Sequence, residues 1–304
     1  MPGESYQGSV PPLTDAETRL RDALRRHVET LAGDIGERNA MLYANLAAAA
    51  DFLETSVSEM GYRVRLEGYD VGKMRCKNIE VEIQGRDRPE EIVVVGAHYD
   101  SVSGSPGAND NATGAAAVLE LCRLFRGKTI SRTLRLVEFV NEEPPFFRSH
   151  EMGSLVYARH CRKRGEKIVA MLSLETIGYY SDEKGSQNYP APLGLVYPST
   201  GNFVAFVGNT SSRRLVCQVV ASFRSHAQYP SEGGALPGFI PGIGSSDHWA
   251  FWQQGYQAVM VTDTAPFRYP YYHSPYDTPD RVRYDQMARV VAGLEGVVLD
   301  LVKR

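Results

Sequence analysis

The sequence predicts an α/β protein with a three-layer αβα architecture, in which helices cover both faces of a mixed, mostly parallel, twisted sheet. Residues 92–95 are a continuous apolar run and residues 134–140 and 168–174 are largely apolar, and all three segments predict buried strands. Segments with helical periodicity follow these runs, and strands that alternate with helices are typical of a parallel sheet. Because 304 residues with 43% hydrophobic content can bury one large core, we expect a single domain over residues 1–304.

The N-terminal part of the chain is predicted to form two helices followed by two strands near one edge of the sheet. Thr14 and Glu17 form a capping-box pattern ahead of helix-spaced apolar residues. Residues 41–60 repeat the same period and are followed by a glycine, which is typical of a helix C-terminus. Residues 62–66 and 79–83 then alternate between apolar and charged side chains, as strands with one solvated face do.

Beyond the first buried strand, the predicted elements continue to alternate. Helices are predicted at residues 112–125, 212–225, 249–253 with a cap within 245–247, and 287–301, and a further helix is predicted to begin at Ser149 as its cap and to run through residues 155–157. Strands are predicted at 203–207 and 258–262. Residues 179–244 are rich in Gly, Pro, Ser and Tyr. We expect this segment to be an elaborated excursion near the functional site rather than a second domain.

Composition and charge argue against several classes of partner. The formal net charge is −3 with acidic and basic residues interspersed, which offers no basic surface for nucleic acid or an anionic membrane. No apolar run approaches the roughly 18 residues of a membrane span. The first residues lack the basic start and apolar core of a signal peptide, so we expect a cytoplasmic protein, although a chain trimmed of its leader would look the same. The sequence gives no indication of the oligomeric state.

The four cysteines are spaced too widely for a zinc knuckle or an evident disulfide framework. Cys76, Cys122, Cys161 and Cys217 form no CxxC pair. We therefore expect buried free thiols, which are typical of proteins from a reducing compartment.

Imidazole and carboxylate side chains are concentrated in the loops that follow the predicted strands. The residues that could hold a metal are His98, Asp110, Glu142, Glu143, Glu175 and His273. Open α/β sheets bind ligands beyond the carboxyl ends of their strands, where most of these side chains are expected. Two imidazoles with several carboxylates suit Zn²⁺, or less often Mn²⁺ or Co²⁺, and one carboxylate can bridge two ions. Taken singly, each residue also has an ordinary structural explanation, as a solvated carboxylate or a hydrogen-bonded histidine.

Four motifs in a fixed order give the pattern a more specific meaning. They are HYDS at residues 98–101, GANDNATG at 107–114, NEE at 141–143 and YHSPYDT at 272–278. Together they resemble peptidase family M28, a family of dizinc peptidases that includes bacterial leucyl-type aminopeptidases, and the resemblance covers roughly residues 93–280. It implies a zinc-exopeptidase-like fold, which glutaminyl cyclases share, and a peptide or aminoacyl substrate.

The resemblance also implies a site with two Zn²⁺ ions. His98 and Glu175 would hold one ion, Glu143 and His273 would hold the other, and Asp110 would bridge them. Such a pair of ions lowers the pKa of a shared water toward neutrality.

Three further acidic residues receive roles next to these ligands. Glu142 would be the general base that takes a proton from water and passes it to the leaving amine. Asp100 would accept a hydrogen bond from His98 and orient its imidazole. Asp277 is a weaker candidate for the same kind of support, because an Asp before Thr-Pro is also ordinary turn chemistry.

The residues that would contact substrate are less well defined. Tyr272 flanks a proposed ligand, and a tyrosine near the metals could stabilise an oxyanion. Arg268 could either pair with a substrate carboxylate or close a loop.

One departure from the family pattern concerns Glu175, where the family usually has Asp. Glu at this position is familiar in related dizinc carboxypeptidases, so a carboxypeptidase or dipeptidase with the same site is an alternative to an aminopeptidase. A second alternative is a single-zinc aminoacyltransferase similar to glutaminyl cyclases. The GANDNATG motif argues against it, because it keeps the dizinc form of the bridging motif. A third is a non-catalytic binding module derived from the fold, which is disfavoured because every ligand position is kept.

Overall fold

Eight strands form one mixed sheet in the computed structural model, which describes residues 1–303. The strands are β1 (Val64–Val71), β2 (Met74–Ile83), β3 (Arg88–His98), β4 (Arg132–Phe139), β5 (Lys167–Glu175), β6 (Val204–Asn209), β7 (Ser231–Leu236) and β8 (Ala258–Thr262). They lie in the order β1-β2-β4-β3-β5-β8-β6-β7. The central strands β4, β3, β5 and β8 are parallel to one another, and β6 is parallel to β7. The pairs β1–β2, β2–β4 and β6–β8 are antiparallel.

Helices cover both faces of this sheet. They are α1 (Asp15–Val28), α2 (Tyr43–Glu59), α3 (Thr113–Phe125), α4 (Gly153–Lys163), α5 (Arg213–His226), α6 (His248–Gln253), α7 (Ala265–Arg268) and α8 (Tyr284–Lys303). Shorter helical turns are Glu29–Ile35, Ala40–Leu42, Ala108–Ala112, Leu193–Leu195, Thr210–Ser212 and Pro279–Arg281. One apolar cluster packs α1, α2, α3, α5 and α8 on one face, and a second packs α4 and α6 on the other. The predicted three-layer α/β class is confirmed.

The β3 strand explains why a continuous apolar run predicted a central strand. Val93 and Val95 belong to the larger apolar cluster, whereas Ile92 and Val94 belong to the smaller one. Successive side chains of a strand point to opposite faces, so a strand covered by helices on both sides needs apolar residues at every position.

The first helix begins where its capping pattern predicts. The Thr14 side chain accepts a hydrogen bond from the backbone N–H of Glu17, and the Glu17 side chain accepts one from the backbone N–H of Thr14. This reciprocal arrangement satisfies two N–H groups that a helix end would otherwise leave unpaired. The buried residues Leu20, Leu24 and Val28 then direct α1 onto the core.

Some sequence expectations differ from the structure. Ser149 does not cap α4, because that helix begins at Gly153 and the Ser149 hydroxyl instead accepts from the Glu151 N–H in a preceding turn. The strand β7 was not predicted, since its sequence SEGGAL has neither an apolar run nor β-branched residues. The cysteines are free as expected, but Cys217 is only half-buried whereas the other three are buried.

No helix among residues 1–303 combines the length and the apolar character that crossing a bilayer requires. The single-domain assignment of residues 1–304 stays a prediction, as does the reading of residues 179–244 as an excursion.

Candidate metal centre

The predicted metal-binding side chains are brought together at one edge of the sheet. His98 is the last residue of β3, and Glu175 is the last residue of β5. Glu142 and Glu143 follow β4 after a short extension. Because β4, β3 and β5 are adjacent and parallel, their carboxyl ends meet at the same edge.

Two groups of side chains form there and share one residue. In the first group, His98 Nε2 lies 3.2 Å from Glu175 Oε2 and 3.5 Å from Asp110 Oδ1. In the second group, His273 Nε2 lies 3.1 Å from Asp110 Oδ2 and 3.3 Å from Glu143 Oε2. The potential ligand atoms within each group lie within 4.8 Å of one another. Asp110 therefore contributes one carboxylate oxygen to each group.

Unpartnered buried atoms indicate that these groups fit cations. His98 Nε2, Asp110 Oδ2 and Glu143 Oε1 are buried and have no hydrogen-bond partner among residues 1–303. A buried polar atom without a partner costs about 1–3 kcal/mol, so such atoms usually have a role. Imidazole nitrogens and carboxylate oxygens are the donors that Zn²⁺ prefers in sites of this kind. The residues present therefore fit two adjacent divalent ions.

The electrostatics of the cluster also favour bound cations. Burial, together with the negative charge of Asp110, raises the pKa of Glu143 to about 7. Burial also raises the pKa of Glu142 well above its ordinary value, and the neighbouring carboxylates Glu175 and Glu143 raise it further. Several carboxylates packed against two imidazoles thus form a site where added positive charge is favourable.

Glu142 lies beside the ligand groups without belonging to either. Its Oε2 is 3.9 Å from His98 Nε2. Its backbone N–H donates to Asp100 Oδ1 at 3.1 Å. The Glu142 carboxylate thus lies beside the candidate metal centre and belongs to neither group of ligand atoms.

The Asp100 carboxylate anchors the loop after β4. Its Oδ2 accepts the backbone N–H of Glu143 at 3.0 Å, while its Oδ1 accepts that of Glu142. His98 Nδ1 lies 3.2 Å from the backbone carbonyl oxygen of Asp100 and 3.5 Å from its Oδ1. Asp100 therefore contacts the imidazole as the sequence suggested, and it also fixes both glutamates.

Asp277 anchors the loop that carries Asp110. Its Oδ2 accepts the backbone N–H of Asp110 at 3.0 Å, and its Oδ1 accepts that of Asn109 at 2.8 Å and the Tyr269 hydroxyl at 2.8 Å. Burial raises the pKa of Asp277 to about 6. Because these contacts join residues that are far apart in the chain, they favour a role for Asp277 in supporting the candidate metal centre over a role in a local turn.

Arg268 and Tyr272 have different surroundings. The Arg268 guanidinium donates to Gln187 Oε1 at 2.7 Å and to the Phe203 carbonyl at 2.8 Å, and the side chain is buried. These contacts favour a loop-closing role over binding of a substrate carboxylate. The Tyr272 ring stacks on the His273 imidazole with 3.9 Å between centroids. Tyr272 and Glu175 also line a pocket that lies beside the candidate metal centre.

Positive φ angles flank several site residues. Asn141 precedes Glu142 with φ of 60°, Thr176 follows Glu175 with φ of 47°, and His273 itself has φ of 54°. Residues other than glycine rarely adopt this region, which costs of order 1–3 kcal/mol each and persists where the surroundings enforce it. The fold thus holds His273 and the neighbours of Glu142 and Glu175 in backbone conformations that are unfavourable by themselves.

Sequence reasoning missed three supporting residues. Asp263 follows β8 directly, and its Oδ2 accepts the Tyr179 N–H at 2.7 Å and Asn109 Nδ2 at 2.9 Å. The rule that carboxylates after buried strands mark a site would have found it. The Ser246 hydroxyl donates to Glu175 Oε2 at 2.6 Å. The only signal for Ser246 in the sequence is its position near the start of a predicted helix.

Arg38 is the third missed residue, and it holds the loop between His98 and Asp110. Its side chain is 0% exposed, with Nε donating to the Tyr99 carbonyl at 2.6 Å and Nη2 donating to the Gly107 carbonyl at 2.8 Å. Burial lowers the pKa of Arg38 to about 10, which leaves it charged at neutral pH. No pattern in the sequence around residue 38 indicates this role.

Comparison with known proteins gives a family match. A family model described as Peptidase family M28 matches residues 78–298. The uncharacterized protein YfbL of Escherichia coli K12 is 39% identical over 282 residues, which are 90% of this chain and 86% of YfbL.

Two relatives carry aminopeptidase names. The probable aminopeptidase YDR415C of Saccharomyces cerevisiae is 25% identical over 251 residues, covering 78% of this chain and 60% of that protein. Aminopeptidase YwaD of Bacillus subtilis is 27% identical over 218 residues, covering 70% of this chain and 42% of that protein. The chain therefore spans less than two thirds of these two proteins.

Solved structures share the fold. BSAP, a zinc aminopeptidase from Bacillus subtilis, superposes with a TM-score of 0.73 at 16% identity, covering 93% of this chain and 95% of BSAP. The glutaminyl cyclase of Fimbriiglobus ruber superposes with a TM-score of 0.68 at 21% identity, covering 97% of each chain.

The Arg38 contacts predict a large loss of stability on substitution. Arg38→Met keeps much of the buried volume but removes the guanidinium that donates to the carbonyl groups of Tyr99 and Gly107, and it leaves the Tyr99 carbonyl without a donor, so the free energy of unfolding should fall by about 3 kcal/mol or more. Urea unfolding monitored by circular dichroism measures the change. Arg214→Met, at an exposed position of α5, is the matched control and should change it by less than about 0.5 kcal/mol. Equal unfolding midpoints for the two variants would contradict the role of Arg38.

Proposed function

The chain belongs to peptidase family M28, and on this premise we propose that it is a zinc-dependent aminopeptidase that hydrolyses the bond after the N-terminal residue of a peptide. The observation that carries the proposal is the position of Asp110. Its Oδ1 lies 3.5 Å from His98 Nε2 and its Oδ2 lies 3.1 Å from His273 Nε2. One carboxylate thus faces both groups of candidate ligands, as a bridge between two metal ions must.

The ligand assignment follows the two groups of side chains. His98 and Glu175 would hold one Zn²⁺, and Glu143 and His273 would hold the second, with Asp110 shared. When bound, the ions would supply Lewis acidity, which polarises the scissile carbonyl and favours water as a nucleophile at neutral pH.

Glu142 provides the proton transfer. Its carboxylate accepts the proton that the attacking water loses and passes it to the amine that leaves. The side chain is buried beside the ligand groups and belongs to neither, so its carboxylate is available to accept a proton there. Asp100 holds the Glu142 backbone and keeps the carboxylate next to the reacting atoms.

Cleavage at the N-terminus agrees better with the site than cleavage at the C-terminus. A carboxypeptidase needs a cation for the terminal carboxylate of its substrate. Arg268, the candidate for that role, is 7% exposed and already donates to Gln187 and Phe203. The names of the two aminopeptidase relatives support the same choice.

A glutaminyl-cyclase-like activity is the second candidate, because the cyclase of Fimbriiglobus ruber has nearly the same extent as this chain. The presence of a complete second group, in which His273 and Glu143 meet Asp110, favours the dizinc peptidase instead.

The shared carboxylate predicts the metal content. The purified protein, dialysed against a trace of Zn²⁺, should contain two ions per chain by inductively coupled plasma mass spectrometry. Asp110→Ala should lose tightly bound zinc from both positions, because each group loses one ligand. Asp34→Ala, at an exposed aspartate, should keep both ions. A single ion in the unaltered protein would count against the dizinc assignment and favour the cyclase-like alternative.

The position of Glu142 predicts a variant that binds metal without turnover. Glu142→Gln should keep its zinc and its fold but lose roughly 10²–10⁴-fold in kcat on an aminoacyl substrate, because the amide cannot accept the proton. Glu151→Gln, in the half-buried turn that follows the same strand, should keep the full rate. Normal turnover by Glu142→Gln would remove that residue from the mechanism.

A substrate panel tests the reaction class. With added Zn²⁺, we expect release of free N-terminal residues from dipeptides and aminoacyl amides. N-acetylated peptides with a free C-terminus should not be cleaved, and an N-terminal glutaminyl peptide should yield glutamine rather than a cyclised product. Mass spectrometry of the products distinguishes these outcomes, and C-terminal cleavage or cyclisation would replace the proposed function with the corresponding alternative.

A further inference from the structure

An open-mouthed pocket of about 790 Å³, its solvent-filled mouth included, lies beside the candidate metal centre. Glu175 and Tyr272 line it at the metal end. Most of the remaining lining is apolar and comes from β6, β7, β8 and the loops near them. Under the proposed function, this is where the side chain of the substrate's N-terminal residue would lie.

Strand register connects the metal centre with the far side of the pocket. Glu175 of β5 pairs with Thr262 of β8, Thr262 pairs with Ala205 of β6, and Ala205 pairs with Glu232 of β7. Side chains at paired positions point to the same face of a sheet. Glu175 and Glu232 therefore stand at the two ends of one row, three strand spacings or about 14 Å apart.

The row forms a floor over which a long side chain can extend. The two positions between the glutamates are Thr262 and Ala205, both small, and Gly234 lies two residues along β7 from Glu232 on the same face. Among the described residues that line the pocket, Glu175 and Glu232 are the only ones with a charged side chain. The far end of the pocket is thus acidic and the path to it is apolar.

Glu232 has no direct hydrogen-bonded or ion-paired cation in the described part of the chain. No side chain among residues 1–303 makes a hydrogen bond or an ion pair with its carboxylate. Arg224 and the N-terminal ammonium group attract it electrostatically without contacting it, and the Arg224 guanidinium donates to the Ser231 hydroxyl at 3.1 Å and the Ser231 carbonyl at 2.7 Å. Burial raises the pKa of Glu232, and a bound cation would reverse that shift.

Two aromatic rings complete the acidic end. Tyr189 and Tyr197 stack with 5.8 Å between ring centroids, and both line the pocket. The Tyr197 hydroxyl donates at 3.0 Å to the carbonyl of Gly233, the residue that follows Glu232, and this bond holds the ring close to Glu232. Aromatic rings beside a carboxylate suit an ammonium or guanidinium group.

We propose that Glu232 makes the enzyme select substrates whose N-terminal residue is arginine or lysine. The inference rests on the proposed aminopeptidase function, because that function sets the scissile bond at the metal centre. The roughly 14 Å of the row separates the backbones of Glu175 and Glu232, so the α-amino group of a substrate, which stays beside the scissile bond at the metal end, cannot reach Glu232. A basic side chain can, since its aliphatic stem covers the apolar floor and its charged end meets the carboxylate.

Kinetics on matched substrates test the proposal. Aminoacyl coumarin amides of arginine, lysine and norleucine differ mainly in the terminal charge. For the full-length zinc-loaded enzyme, we expect kcat/KM for arginine and lysine to exceed that for norleucine by about 10- to 100-fold, the usual size of a charge-assisted hydrogen bond. Glu232→Gln should abolish this ratio by lowering kcat/KM for arginine and lysine, and Glu232→Asp should keep part of it.

Glu183→Gln is the control variant, because it removes the same charge from an exposed position that does not line the pocket. It should leave the ratio intact. Arginine and norleucine hydroxamates provide a binding readout by calorimetry, with a preference for arginine that Glu232→Gln removes. An arginine-to-norleucine ratio near one, or a ratio that survives Glu232→Gln, would overturn the proposal while aminopeptidase activity stands. Absence of hydrolysis of all three substrates would overturn the proposed function, and the inference with it.

Discussion

Buried carboxylates that accept backbone N–H groups hold the loops of the metal centre in place. Asp100 accepts the N–H groups of Glu142 and Glu143, and Asp277 accepts that of Asp110. Both aspartates are almost fully buried, so their charges would be costly without these donors. Each bond ties a ligand-bearing loop to another part of the chain. The spacing of the candidate ligands therefore depends on groups that would touch neither metal nor substrate.

The sequence predicts the part of the site that regular structure positions. His98 and Glu175 could be located because an apolar strand ends at each of them, and the ends of parallel strands meet at one edge. Asp110 and His273 lie in loops, whose paths follow from long-range hydrogen bonds that no local pattern encodes, so residue type alone made them candidates and only the family motifs assigned them to a metal. Arg38 illustrates what stays hidden, since its buried role depends on carbonyl groups more than 60 positions away.

Chemistry and substrate choice have separate structural origins in this fold. The strands β3, β4 and β5 present the candidate metal ligands, whereas β6, β7 and β8 form the floor of the pocket. The two sets meet where Glu175 pairs with Thr262. The β7 strand has a weak sequence signal because it contains two glycines and one glutamate, yet those same residues leave the pocket open and acidic. Substitutions there can alter the pocket without disturbing the ligand-bearing strands.

The tie between Asp110 and Asp277 also has a consequence for biosynthesis. These two residues are 167 positions apart, so the centre is assembled from segments that leave the ribosome at very different times. Contacts of such long range form late, because the intervening chain must be ordered first. Until translation passes residue 273 the nascent chain lacks His273, and until it passes residue 277 it also lacks the anchor of the shared carboxylate. The complete pair of ligand groups can therefore form only on chains that have been synthesised past residue 277.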